Sequence, residues 1–413
     1  MSRIFGWLMV AALVVVRLHN ARVTPAHHSF DNYGHLWYLQ MSAGGQVPLP
    51  NQGWQNYHPP LFYWLSGRLG AWFHQAAVPT AQWISTVAGL LRLLVVGLIA
   101  RQLVPRYTWF AVVTAAALPI DVITAATVYN LSFAYFWCAL FLWLMIGAWQ
   151  EARIRVWREV LLGLVAAAGA MSRPDGAILL VLLGALWLGR MVRTGRVDAT
   201  LSAFLSGMVA LAGVSWFWLR NLADFGRPFV FPTDWDMYPN PMAVRSDFAF
   251  LPGFHSLAFY FLPDLRTFAH PRDLYGFCSL PSILYASIWW RYSEAQRLPS
   301  DPYVGPLLLV LGLLPTVLML VGLRQACRRP STWWPVLASV LATVAFYTTM
   351  LLKDPIWGAV KGLYLYTCFP AFLVCVAAGT QEVVERWPKA RPLLYVGFFA
   401  MAGVSGWTNW YPG

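Results

Sequence analysis

The feature that most constrains this chain is a series of long apolar runs, separated by short loops that carry arginine in ones to threes. The runs cover 4–16, 80–100, 107–120, 130–149, 158–171, 175–189, 199–219, 303–323, 333–351, 362–379 and 392–408. A helix that crosses a bilayer perpendicularly needs about 20 predominantly apolar residues. The pattern therefore predicts an all-α polytopic membrane protein with about eleven transmembrane helices, forming one integral membrane domain over 1–413. The 158–189 region reads as a hairpin of two short helices or as one long tilted helix. Residues 4–16 look like the core of a signal peptide, but no small-x-small cleavage site follows, so an uncleaved first span is expected. Composition agrees: charged residues make up 11% of the chain, against roughly 25% in soluble domains.

A net charge of +12 could point to nucleic acid, but the cations form no basic stripe. They sit between apolar runs, as the positive-inside rule requires of short cytoplasmic loops. Arg3, Arg101 and Arg106, Arg153 to Arg158, Arg190 to Arg196, Arg324 to Arg329, and Arg386 to Arg391 all fall on one side if 58–76 does not cross. That segment is then expected to lie along the outer face as an amphipathic helix, and Arg68 and His74 disfavour a crossing in any case. The 23 Trp suit lipid–water interfaces. The five Cys, at 138, 278, 327, 368 and 375, show no framework spacing and read as packing residues.

Two long loops remain on the opposite side, 17–79 and 220–302, joined by KDPIWGAVKG at 353–362. Polar chemistry belongs in such loops, because spans cannot hold it cheaply. Four stretches there carry a resemblance: FDNYGHLWYLQMSAGGQVPLP, YHPPLFYWL, WFWLRNLADFGRP and KGLYLYTCFPAF. In this order they resemble the polytopic GT-C glycosyltransferases, in particular bacterial relatives of the protein O-mannosyltransferases and of the lipid A aminoarabinose transferase. The resemblance implies a GT-C-like bundle with two amphipathic surface helices in the first outer loop, and a polyprenyl-phosphate-linked sugar as donor. A hydroxyl on a lipid, glycan or protein would be the acceptor, at the outer face of a bacterial inner membrane. Asn32 stands where many relatives carry a second acidic residue, and Lys361 where arginine is common. A large soluble C-terminal domain is absent, which sets the chain apart from oligosaccharyltransferase-like members.

Transfer from a lipid phosphate needs a base for the acceptor and cations for the leaving group. The resemblance implies Asp31 as general base in an inverting displacement; a residue at that place can equally cap the following helix. Arg173, Arg220, Lys353 and Lys361 are the expected phosphate cations, with Asn221 and Tyr364 beside them. Arg220 can also be an interfacial anchor, and Arg173 part of an ordinary Pro-Asp-Gly turn. His35 follows Asp31 by four residues and would share its helix face, while Tyr57 and His58 would touch donor or form a structural corner at Pro59-Pro60. His27, His28, His35 and His58 could instead gather a divalent metal, but their spacing matches no metal motif, so no metal or other cofactor is expected. FCSLPSILYASIWWRYSE at 277–294 reads as a surface helix or lid, or as interface anchoring through Trp289, Trp290 and Tyr292. A transporter or lipid flippase, or an inactive GT-C scaffold, remain the alternatives, with Arg92 and Asp121 the main polar residues inside apolar runs.

Overall fold

The computed structural model describes residues 2–26, 28, 31–151, 154–195, 198–230, 256–264, 279–290, 304–353 and 361–411. These residues form helices and turns, with no strand among them. Helix α1 (Ser2–Val23) leads to two short helices, α2 (Asn32–Ala43) and α3 (Leu61–Trp72). Then come α4 (Ala77–Leu103), α5 (Thr108–Ala117), α6 (Pro119–Ala125), α7 (Leu131–Gln150) and α8 (Val156–Ala170). Helices α9 (Ile178–Thr194) and α10 (Asp198–Phe225) follow, then the short α11 (Leu257–Phe261) and α12 (Leu280–Trp289). The chain closes with α13 (Val304–Arg328), α14 (Pro330–Lys353), a 3-10 segment at Gly362–Cys368, α15 (Phe369–Arg386) and α16 (Arg391–Thr408).

Every apolar run is helical, but the number of spans is smaller than the number of runs. Among the described residues eight helices are long and apolar enough to cross a membrane, or nine if α5 and α6 count as one span bent by 62°. The 158–189 region resolves into two helices rather than one tilted rod, and α8, with 15 residues, is short for a crossing. The core runs through the middle of the bundle, from Val96, Phe110 and Phe141 to Val374 and Phe398.

The first span extends beyond the predicted 4–16. Helix α1 continues through Arg17, which is fully buried and paired with Asp121 on α6 at 2.6 Å. An ionised partner offsets the desolvation of the guanidinium, so the helix need not end at the charge. The predicted outer loop 17–79 accordingly begins after Val23.

Helices α2 and α3 are too short to cross a bilayer. Each has 12 residues, about 18 Å of helix, well under the ~30 Å hydrocarbon thickness. On α3 the buried residues are Phe62, Tyr63, Ser66, Gly67 and Gly70, a helical stripe, while Trp64 and Arg68 face outward. The two helices cross where Gly67 meets α2. A Cβ at Gly67 would lie 2.8 Å from the Ala43 Cα, so no larger residue fits without moving the backbone. Tyr38, Leu39, Phe62 and Tyr63 then pack as one cluster against Ala81 and Ala88 of α4 and Phe133 of α7.

The 277–294 stretch contributes α12, and it is not an interface anchor at Trp289. That side chain is buried, and its ring meets Gly312 of α13. Ser287 Oγ accepts from the Gly362 backbone N at 2.8 Å, so α12 covers the start of the 3-10 segment. Tyr292 lies outside the described residues.

Candidate active site

Asp31 stands at the N-cap position of α2, yet its side chain makes no capping hydrogen bond. Its backbone is left-handed, φ 50 and ψ 29, a region Asp tolerates better than most residues but at some cost. The carboxylate is exposed, and Oδ1 accepts from Trp54 Nε1 at 3.3 Å. The capping alternative for Asp31 therefore has no geometric support.

His35, one turn on, is fully buried. Its Nδ1 lies 2.5 Å from the Tyr63 hydroxyl, its ring stacks over His58 at 5.6 Å, and it meets Tyr129 edge-on at 4.7 Å. Burial, and after it the Arg173 guanidinium, pushes the His35 imidazole from an ordinary 6.5 down to about 3. The same two causes, with His35 third, hold His58 well below its usual range. Both rings are neutral at neutral pH. The His58 carbonyl accepts from the Tyr38 hydroxyl at 3.0 Å, and the His58 ring lies 4.2 Å from that of Tyr57. The Pro59-Pro60 turn that follows starts α3, and Leu61 N donates to Met171 O at 3.0 Å, which ties the first outer loop to the end of α8.

Arg173 sits at that junction. Its Nε donates to Asp175 Oδ1 at 2.9 Å, Nη1 donates to Asn130 Oδ1 at 3.2 Å, and the guanidinium lies 5.7 Å over the Tyr129 ring. The Pro-Asp-Gly turn is real, and it also delivers a buried cation to the first loop. The charges of Asp31 and Arg173 both act on Tyr57, Tyr63, Tyr129 and Tyr364. Tyr63 and Tyr129 both meet the His35 ring, and Tyr129 lies beneath the Arg173 guanidinium. Tyr364 arrives from the 3-10 segment, whose Leu363 carbonyl is held by the Tyr135 hydroxyl at 2.6 Å.

Arg220 and Asn221 form a second wall. Arg220 Nη1 donates to Val47 O at 3.2 Å, Nη2 donates to Asn221 Oδ1 at 3.3 Å, and Asn221 Nδ2 donates to Pro228 O at 3.2 Å. Arg220 thereby holds the first outer loop against the end of α10. Between this wall and the Arg173 turn lies a small crevice of about 20 Å³, lined by Tyr57, Pro59, Pro174, Phe217, Trp218 and Asn221, among others, with room for about one water. Lys361 is half-buried at the head of the 3-10 segment, next to Gly362. Lys353 is exposed at the end of α14.

The metal alternative does not assemble. Among the described residues no three His, Cys, Asp or Glu side chains converge as ligands; His28 packs edge-on against Tyr411 at 5.5 Å, and His27 lies outside the described residues. Sequence reasoning overlooked Tyr63, Tyr129 and Asn130. The one available signal was a Tyr-Asn pair at the mouth of the run 130–149.

No family model matches the chain, and no curated protein sequence does either. Solved structures do. The Archaeoglobus fulgidus oligosaccharyltransferase, solved with zinc and sulfate, aligns with a TM-score of 0.57 at 14% identity over 97% of this chain and 53% of its own. The same archaeal enzyme, AglB, solved with an inhibitory peptide and a dolichol-phosphate, aligns at 0.54 and 12% identity. ArnT from Cupriavidus metallidurans, solved with undecaprenyl phosphate, aligns at 0.58 and 16% identity over 99% of this chain and 77% of its own. The chain spans about half the length of the oligosaccharyltransferase, and its likeness to that enzyme is as close as its likeness to ArnT. At these identities the likeness concerns the fold: the chain has the fold of the GT-C glycosyltransferases.

Proposed function

We propose that this protein is an inverting membrane glycosyltransferase that moves a sugar from a polyprenyl-phosphate donor to an acceptor hydroxyl at the outer face of the membrane. The observation that carries the reading is Asp31, exposed and uncapped in a left-handed turn, one helical turn before His35, which packs against Tyr63 and against Tyr129 beneath Arg173. In the reaction the acceptor oxygen bonds to the anomeric carbon as the bond from that carbon to the phosphate oxygen breaks. The hydroxyl proton passes to Asp31, and the lipid phosphate leaves with the electron pair. General base catalysis of this kind contributes about 10² to 10⁴-fold.

Arg173 is the cation best placed for the leaving phosphate, since its turn borders the crevice and its charge reaches Tyr57 and Tyr364. A fixed cation in a water-poor site stabilises developing negative charge without reorganising. Tyr364 and Lys361 would complete that side; Arg220 and Asn221 would shape the opposite wall, with Lys353 further out. Buried neutral His35 and His58 would support the wall behind Tyr57 rather than exchange protons. The ArnT and AglB structures hold undecaprenyl phosphate and dolichol-phosphate respectively, and the shared fold supports the same class of donor here.

Incubation of purified protein with a panel of radiolabelled polyprenyl-phosphate sugars and membrane lipids tests the reading. Label transferred to an acceptor with inverted anomeric configuration supports it; no transfer from any donor removes it. On the same reading the first outer loop faces the exterior, so a cysteine at Gln52 reacts with an impermeant reagent in intact cells and one at Gly195 does not.

The transporter alternative gains one observation, the broken helix α5–α6, since transporters build substrate sites on unwound helices. Here, however, the carbonyls freed by the break accept from Arg17 and Ser405 of the same chain.

A further inference from the structure

Helix α5 ends because Leu118 precedes Pro119. A residue before proline is driven out of the helical region, and Leu118 takes φ −63 and ψ 114. The break leaves the last carbonyls of α5 without partners inside the helix. Arg17 Nη2 supplies Ala115 O at 3.3 Å and Ala116 O at 3.0 Å, and Ser405 Oγ supplies Ala117 O at 2.6 Å. On the other side of the break, Asp121 receives both Arg17 and Arg92, all three side chains being buried. The short helix α6 is thereby clamped to α1 and α4.

Helix α4 goes on to hold the chain that leaves α6. Thr86 Oγ1 donates to Ala125 O at 2.7 Å, Gln82 Nε2 to Ala126 O at 3.2 Å, and Ser85 Oγ to Tyr129 O at 3.0 Å. With Gly89, where a Cβ would come 3.2 Å from the Ala125 Cβ, and Arg92, these residues recur at helical spacing on one face of α4. The segment they grip ends at Tyr129, beneath the Arg173 guanidinium, and at Asn130, which accepts from it. Arg92 also lies 5.8 Å from the ring of Tyr366, in the 3-10 segment that carries Tyr364.

We propose that this polar face of α4, with Asp121 at its inner end, is a positioning device for the active site: it sets where Tyr129 and Asn130 hold Arg173. The inference rests on the glycosyltransferase reading and adds the residues that act through Arg173. Buried ion pairs are poor stabilisers, and their replacement by apolar side chains is often neutral. A triad kept inside this bundle is therefore better accounted for by the geometry it imposes than by stability.

Two variants test it. Arg92→Met with Asp121→Asn removes one positive and one negative charge together and leaves Arg17 on its carbonyls. Ser85→Ala removes only the bond to Tyr129 O. Unfolding midpoints in detergent, turnover, and affinity for undecaprenyl phosphate are measured for both, alone and with Arg173→Gln. The double variant takes from Arg17 its ionised partner, so its midpoint is expected to fall, and its folded fraction is expected to lose about 10²-fold in turnover, the scale of a small misplacement of a catalytic group. Ser85→Ala is expected to weaken undecaprenyl phosphate binding severalfold, and neither change should add to the loss already caused by Arg173→Gln. Wild-type turnover and affinity in Ser85→Ala, or losses that add in full to those of Arg173→Gln, overturn the inference. If the double variant does not fold, Ser85→Ala decides alone. Should Arg173→Gln itself keep normal turnover and affinity, the active-site reading falls and this inference with it. Failure of the inference alone is distinct: Arg173→Gln is inactive while Ser85→Ala is normal.

Discussion

Asp31 and Asp121 are the same side chain in opposite conditions. Asp121 lies inside the bundle with two guanidiniums on its carboxylate, while Asp31 lies at an exposed turn with one indole donor at 3.3 Å and no cap to make. On the proposed reading, a carboxylate enclosed by two guanidiniums holds geometry, while one at an exposed turn is open to an acceptor hydroxyl. Partner count, more than residue type, then separates the structural acid from the chemical one.

Asp121→Asn should give the largest effect. It leaves two buried guanidiniums facing a neutral amide, and breaking a buried ion pair in this way costs about 3–5 kcal/mol. Loss of the monodisperse folded peak, or a large drop in unfolding midpoint, is the expected outcome. A normal midpoint would erase the contrast between the two acids.

Asp31→Asn should do the reverse. Asn accepts the left-handed turn at least as well as Asp, so expression and midpoint stay normal while turnover falls by at least ~10²-fold. Asp31→Glu should recover part of that loss, because the added methylene displaces the carboxylate. Full activity of folded Asp31→Asn on its true substrates would remove the general base.

Arg173→Gln sharpens the comparison from the cation's side. Loss of a charge that acts on the leaving phosphate should lower turnover by roughly 10² to 10³-fold and weaken undecaprenyl phosphate binding. Arg220→Gln should fall short of that, since the proposed role of Arg220 is to shape the opposite wall through Val47 O.

A smaller effect is expected with pH. His35 and His58 are held neutral in the folded protein, with His35 down at about 3 against 6.5 in the open chain. Below about 6.5 the unfolded chain binds protons that the folded one refuses. Their contribution to stability is complete above that value and is lost as pH falls from 6.5 toward 3. The unfolding midpoint should therefore decline between pH 7 and pH 4.5, and His35→Gln should flatten the decline. An unchanged slope would mean that other groups set it.

The smallest effect concerns the backbone. Glycine takes a left-handed turn without the Cβ penalty, so Asp31→Gly should stabilise the turn by at most about 1 kcal/mol while abolishing transfer. A gain in midpoint together with a dead enzyme would show that the strain at Asp31 is kept for chemistry. A loss in midpoint would show that the carboxylate stabilises the fold.

The sequence by itself determined the helical, membrane-embedded class and the two short helices of the first loop, which bears Asp31, His35, Tyr57 and His58. Apolar periodicity and turn residues are local, and a twelve-residue amphipathic stretch can be judged too short to cross without knowing its neighbours. What only the tertiary structure decided depends on partners far apart in the chain. Arg17 read as the end of a span until Asp121, 104 positions away, neutralised it. Arg173 read as a phosphate cation or as part of an ordinary turn, and only the fold brought Asn130 and Tyr129 to it, while the eleven apolar runs became eight or nine spans only when the bend at Leu118 and the short α8 were in view. Burial and charge pairing are properties of neighbours in space, which is why the acid that holds and the acid that can react look alike in sequence.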